Sequence, residues 1–172
     1  DFSAIERNLS IVFRRNPKAR IVLSVPVSPP AWWGVKYPDE ITKDYNGRSK
    51  QDYLASHSFA SVKWLDDSEK ALNVFFAFLQ KTPYWERITG VFLTSGRYGE
   101  TIRSGYNCQL YGTECTDYCP AEKKAFQKWM AKKYGNIATM QQAYKAGTVP
   151  SSFDLIELPT PAERLRPDST YF

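Results

Sequence analysis

The sequence predicts an α/β fold in which parallel strands are joined by crossover helices. Three observations point to it. Helical and strand patterns alternate in the order helix, strand, long loop, helix, strand, long loop, helix. The two strand patterns, 21–27 (IVLSVPV) and 88–94 (ITGVFLT), are short β-branched runs of the kind buried in parallel sheets. Both long loops follow the C-terminal end of a strand, the edge where α/β barrels and open sheets carry their sites.

The elements follow in chain order. Ser3-Ala4-Ile5-Glu6 has the form of a capping box, with Ser3 as the cap. Ile5, Leu9, Val12 and Phe13 continue it at helical spacing, and Asn16-Pro17 ends it. After the first strand comes a loop holding Pro29-Pro30, Trp32-Trp33, Gly34 and Pro38. Ser58 or Ser61 can cap the second helix, which places Trp64, Leu72, Phe75, Phe76 and Leu79 on one side before Thr82-Pro83. The second strand leads into the loop Ser95-Gly96-Arg97-Tyr98-Gly99-Glu100 and then a cysteine-bearing loop. Pro120 suits the first turn of a third helix, with Phe126, Trp129, Met130 and Tyr134 as its apolar side and Gly135 as its stop. Asn136 can cap a short helix holding Ile137, Met140 and Tyr144, and an irregular tail is expected over 149–172. A sheet of two strands alone leaves open edges and bare apolar faces.

Composition narrows the function classes. The 172 residues suit one domain, and 42% hydrophobic content supplies a core. No apolar run is long enough to span a membrane, and the polar, helix-like start reads as no signal peptide. The net charge of +5 is spread among mixed signs, so no basic tract argues for nucleic acid. Lys123, Lys124, Lys128, Lys132 and Lys133 read as the solvated face of a helix. Five Trp and eleven Tyr fit either a large aromatic core or the flat apolar faces that sugar-binding proteins use. One histidine, His57, gives little support to Ser-His-Asp chemistry or a His-rich metal site, and reads as a structural or surface group. No phosphate-cradling or dinucleotide motif indicates an organic cofactor.

Several segments resemble the β-galactosidase-like (β/α)8 barrels of glycoside hydrolase family 42. Residues 16–40 (NPKARIVLSVPVSPPAWWGVKYPDE) look like the family's third strand and loop, and residues 58–72 (SFASVKWLDDSEKAL) like the helix that follows. Residues 126–144 (FQKWMAKKYGNIATMQQAY) and 151–161 (SSFDLIELPTP) are similar to stretches after the family's acid/base strand. The resemblance implies one partial barrel domain over 1–172, about strands three and four with flanking helices. A whole barrel needs about 250 residues and eight strands. It implies a carbohydrate substrate, a partner in the remainder of the same barrel, and a nucleophilic carboxylate on strand seven, outside this sequence. Retaining glycosidases set two carboxyl groups about 5–5.5 Å apart. This chain therefore carries at most one of them and is expected to be inactive alone.

Glu100 is the candidate general acid. It follows the second strand, and an aromatic pocket raises a carboxyl pKa, as that role requires. The family carries Asn-Glu where Ser95-Gly96 stands here, whereas Gly96-Arg97-Tyr98-Gly99-Glu100 looks like the acid-bearing loop of the β-amylase family. Either the acid has moved to Glu100, or the position is lost and the chain belongs to a non-catalytic, carbohydrate-binding or degenerate barrel, or to a structural or interaction domain whose aromatics only pack. The plain alternative is a carboxylate paired with Arg97 or Arg103. Trp32, Trp33, Tyr98, Arg97 and Asp39 are the candidate sugar-binding residues. One Trp of the adjacent pair packs while the other can offer a face to a sugar ring, or both are buried. Asp39, Glu40 and Asp44 read as sugar-hydroxyl partners or as turn residues.

Some family enzymes hold a structural zinc with a cysteine cluster in this region. Here Cys108, Cys115 and Cys119 give three thiols, one short of the usual four N/S ligands. The rivals are one disulfide plus a single thiol, which suits a secreted or periplasmic enzyme, and three free thiols.

Overall fold

The structure, a computed structural model, describes residues 2–49, 57–95, 117–144 and 150–164. Helix α1 spans Ser3–Arg15 and buries Leu9 and Phe13, one turn apart. Its Glu6 lies in the first turn and Arg14 and Arg15 in the last, signs that complement the helix dipole. The helix starts one residue earlier than the capping-box reading. Phe2 takes the cap position, its carbonyl accepting from the Ile5 and Glu6 amides. The Phe2 ring, stacked 4.9 Å from Phe78, anchors that start.

Strands β1 (Ile21–Pro26) and β2 (Ile88–Thr94) pair in parallel, with Val22 opposite Gly90, Ser24 opposite Phe92 and Pro26 opposite Thr94. The register is irregular between Ile21 and Val22. Side chains alternate between two faces. Ile21, Leu23 and Val25 pack with Ile88 against a core of Leu9, Phe13, Phe75 and Leu79. The other face is bare: Val22 is 63% and Phe92 62% exposed. Parallel sheets are ordinarily covered on both faces, so this face belongs against further structure.

The crossover between the strands is more ordered than a loop. Helix α2 (Ala31–Lys36) and a 3-10 turn (Pro38–Glu40) occupy the stretch expected to be irregular. Pro30 sits in extended backbone just before α2, a position proline tolerates because no intrahelical amide is needed there. Helix α3 (Val62–Leu79) follows, and its cap is Ser61, whose Oγ accepts the Trp64 amide at 2.9 Å. Ser58 serves the turn before it, accepting the Ala60 amide. Trp64, Phe75 and Leu79 are buried as their spacing predicts. The Thr82 hydroxyl donates to the Leu79 carbonyl and closes the helix.

Helix α4 (Pro120–Tyr134) has proline in its first turn and ends at Gly135, whose φ of 73° is the left-handed conformation glycine takes without strain. Helix α5 (Ile137–Ala143) is capped by Asn136, which accepts the Thr139 amide at 2.9 Å. Met130, Met140 and Ile156 form a core cluster with Phe126, Tyr134 and Phe153. The tail is not wholly irregular. A 3-10 turn covers Phe153–Leu155, and α6 (Pro161–Arg164) is held by a reciprocal cap. The Thr160 amide donates to Glu163 Oε2 at 2.7 Å, and the Glu163 amide to Thr160 Oγ1 at 3.3 Å. Among the described residues no helix is long and apolar enough to cross a membrane.

Candidate functional site

The C-terminal ends of β1 and β2 form the edge where chemistry was expected. The Val27 amide donates to the Thr94 carbonyl at 2.8 Å and extends the strand pairing by one residue. Beyond it the Ser28 and Ser95 hydroxyls lie 3.5 Å apart. Ser95 is buried, so the residue just past β2 is a small paired hydroxyl rather than a carboxylate. From α3, the Trp64 indole donates to the Val27 carbonyl at 3.0 Å and fixes where the chain leaves β1.

The adjacent tryptophans divide as a helix requires. One residue is a rotation of about 100° in an α-helix, so neighbours cannot share a face. Trp33 is 3% exposed and Trp32 63% exposed. Trp33 packs with Ile41 and Trp64, and its indole N–H donates to Asp67 Oδ2 at 2.8 Å. Asp67 Oδ1 holds the Lys63 ammonium at 2.5 Å, and Lys63 stands 4.7 Å above the Tyr37 ring. These contacts set the ionisation of both groups. The Lys63 hydrogen bond, then the Trp33 one, holds the Asp67 carboxyl below its ordinary value, and Asp67 holds Lys63 above its own. Asp67 and Lys63 were not singled out from the sequence. Their separation of four residues on a helix is the local signal that could have found them.

The polar residues of the crossover have structural work. Asp39 is exposed, with Lys43 at 4.0 Å. Asp44 Oδ1 accepts the Asn46 and Arg48 amides at 2.9 and 2.8 Å, forming a turn. The Glu40 carbonyl accepts the Ser58 amide. His57 is buried, bridges in antiparallel fashion to Ile41, and stacks on Trp64 with ring centroids 3.7 Å apart. Of the structural and surface roles the sequence left open, the buried, stacked ring takes the structural one.

Cys119 caps α4, its sulfur accepting the Glu122 amide at 3.4 Å. It is a buried free thiol that donates to Asp117 Oδ2 at 3.4 Å. Burial, the largest cause, pushes the thiol up to about 11. Among the described residues no group of three or more His, Cys, Asp or Glu is placed to hold a metal. Buried Asp117 joins two parts of the chain, since its Oδ1 accepts both the Lys43 and the Cys119 amides. Arg97, Tyr98, Glu100, Cys108 and Cys115 lie outside the described residues.

Comparison with known proteins places this geometry. Residues 106–171 match the family model of the glycoside hydrolase family 42 β-galactosidases. The chain is 25% identical over 129 residues to a β-galactosidase of Thermus thermophilus, covering 73% of this chain and 17% of that protein. It is 24% identical over 153 residues to the β-galactosidase LacZ of Heyndrickxia coagulans, covering 84% and 19%. Solved β-galactosidase structures share its fold. The β-galactosidase of the psychrophile Marinomonas ef1 has a TM-score of 0.69 at 21% identity, over 93% of this chain and 23% of that one. That of the haloarchaeon Halorubrum lacusprofundi scores 0.68 at 19%, over 94% and 22%. The chain thus spans about a fifth of the length of the relatives it matches. The resemblance stated from the sequence holds, and the fold is a segment of a (β/α)8 barrel. The bare face of Val22 and Phe92 is the side such a barrel turns inward.

Proposed function

We propose that this chain, similar as it is to the family 42 β-galactosidases, is part of a glycoside hydrolase acting on β-linked galactosides. The observation that carries this reading is the one-sided sheet. Two parallel strands are covered by helices on one face and left apolar and bare on the other, in a chain whose relatives are β-galactosidases several times its length. The reading assigns to Glu100 the protonation of the leaving oxygen, and to polypeptide beyond these residues the second carboxylate. Trp32 offers an aromatic face to a sugar, whereas Trp33, being buried, positions α2 rather than touching substrate. Arg97, Tyr98 and Asp39 complete the proposed set of sugar contacts.

The test is hydrolysis of nitrophenyl β-D-galactoside by the intact protein and its Glu100→Gln variant. A general acid contributes about 10²–10⁴-fold, so the rate should fall by that order for an alkyl galactoside. The loss should be smaller for the nitrophenyl compound, whose leaving group needs less protonation. Equal rates for wild type and variant on both substrates would remove Glu100 from the mechanism.

A second reading rests on Ser95. Buried and paired with Ser28 where the family has Asn-Glu, it fits a barrel that binds carbohydrate without cleaving it. Saturable sugar binding with no hydrolysis by the intact protein would favour that reading.

A further inference from the structure

A cavity of about 520 Å³ lies between α2 and α3, on the helix-covered side of the sheet. Val25, Leu72 and Phe75 supply apolar lining, and Trp32, Lys63, Asp67 and Ser68 also face it. Small-molecule sites have this character: about 300–1,000 Å³, mostly apolar, with a few placed polar groups. No sequence pattern announced it, because its walls come from two helices and a strand end.

We propose that this cavity binds a short neutral sugar, with Trp32 as the stacking face and Asp67, Lys63 and Ser68 as hydroxyl partners. The choice of a sugar rests on the glycosidase reading above; the site itself rests on geometry. A pyranose has an apolar C–H face and a rim of hydroxyls that both donate and accept. Trp32 is exposed, so a ring can reach it. A carboxylate has about four acceptor positions. Asp67 commits one oxygen to the Trp33 indole and the other to Lys63, which leaves capacity on both for sugar hydroxyls. Lys63 carries three donors and spends one on Asp67. Ser68 adds a group that donates and accepts. The Lys63–Asp67 pair is mutually neutralised, which suits a neutral ligand better than an anion. A wholly apolar ligand would cover these polar groups without replacing the water they lose, a net penalty. The polar wall is already positioned, because Asp67 is held by buried Trp33 and Lys63 by the Tyr37 ring. Little side-chain ordering is left for binding to supply.

The experiment is a calorimetric titration of the intact protein in its Glu100→Gln form with methyl β-D-galactoside and with lactose. Two variants are compared with it. Trp32→Ala removes the stacking face, and Ala71→Phe fills the cavity from α3 without touching Trp32. Each should weaken binding at this site by about tenfold or more, with the melting transition kept cooperative. Ala71→Leu serves as a milder filling variant should the larger ring impair folding, and it should weaken binding in the same direction. Three results would overturn the proposal. They are filled variants that bind as the parent does, a Trp32→Ala variant that binds unchanged, and a parent with no saturable sugar binding. Failure here is separable from failure of the hydrolase reading. Hydrolysis by wild type with sugar binding indifferent to Ala71→Phe sinks the cavity alone. Binding weakened by Ala71→Phe, without any hydrolysis by wild type, sinks the catalytic reading alone.

Discussion

Replacement of Phe92 by alanine in the intact protein probes the bare sheet face. Phe92 projects beside Ser24 on the face opposite the helices and is 62% exposed in this chain. An aromatic side chain buries about 150–250 Å², so the uncovered portion is roughly 120 Å². At about 25 cal/mol per Å², covering it contributes about 3 kcal/mol, and truncation in a packed interior costs about 3–5 kcal/mol once the cavity is included. An exposed residue would change stability by no more than about 0.5 kcal/mol. The two cases are well separated in guanidinium unfolding of the intact protein followed by tryptophan fluorescence. Val74→Ala is the matched control, since Val74 is 61% exposed but lies on α3, outside the sheet. We expect a midpoint shift for Phe92→Ala equivalent to about 3 kcal/mol and little for Val74→Ala. A Phe92→Ala protein as stable as its parent would refute the claim that this face is covered.

Other outcomes follow from the same structure. Leu79→Ala should cost about 2–5 kcal/mol in the same unfolding assay, because Leu79 is wholly buried where α1, α3 and the sheet meet. Gly135→Ala should cost about 1 kcal/mol, because alanine is strained at a φ of 73°, although open space surrounds the position. Cys119, with its thiol near 11, is about one part in a thousand thiolate at pH 8. Iodoacetamide should therefore label it in denaturant but hardly in the native protein, with mass spectrometry of the peptide as the readout. Asp67 sets an acid-side dependence. Its folded pKa is depressed, so its contribution is present above the unfolded carboxyl value and is lost as pH falls through the lower folded value. Trp33 fluorescence should change in that acidic window in the parent and not in Asp67→Asn.

What the sequence made legible was local. Both strands appear where the β-branched runs stand, because a buried parallel strand requires little beyond those residues. Ser61, Pro120, Gly135 and Asn136 mark helix ends, each through a contact or conformation within a few residues. The misses have equally plain causes. Pro29-Pro30 and two tryptophans suggested a loop, but a six-residue helix this short is marginal by itself. What holds α2 is Trp33 against Asp67, a contact spanning 34 residues that no local pattern reveals. The start of α6 was legible and overlooked: Thr160-Pro161-Ala162-Glu163 is a capping box with proline at the first helical position. The division of labour between Trp32 and Trp33 was foreseen as one of two alternatives. Which Trp would be buried depended on Asp67 and Trp64 from the next helix.

The central proposal is that these residues form one part of a glycoside-hydrolysing barrel and are inactive by themselves. The direct measurement is steady-state hydrolysis of nitrophenyl β-D-galactoside by the intact protein and by residues 1–172 alone, at equal molar concentration. The account predicts turnover by the intact protein and none above the uncatalysed rate by the shorter chain, which holds at most one of the two carboxylates. Turnover by residues 1–172 alone would contradict it.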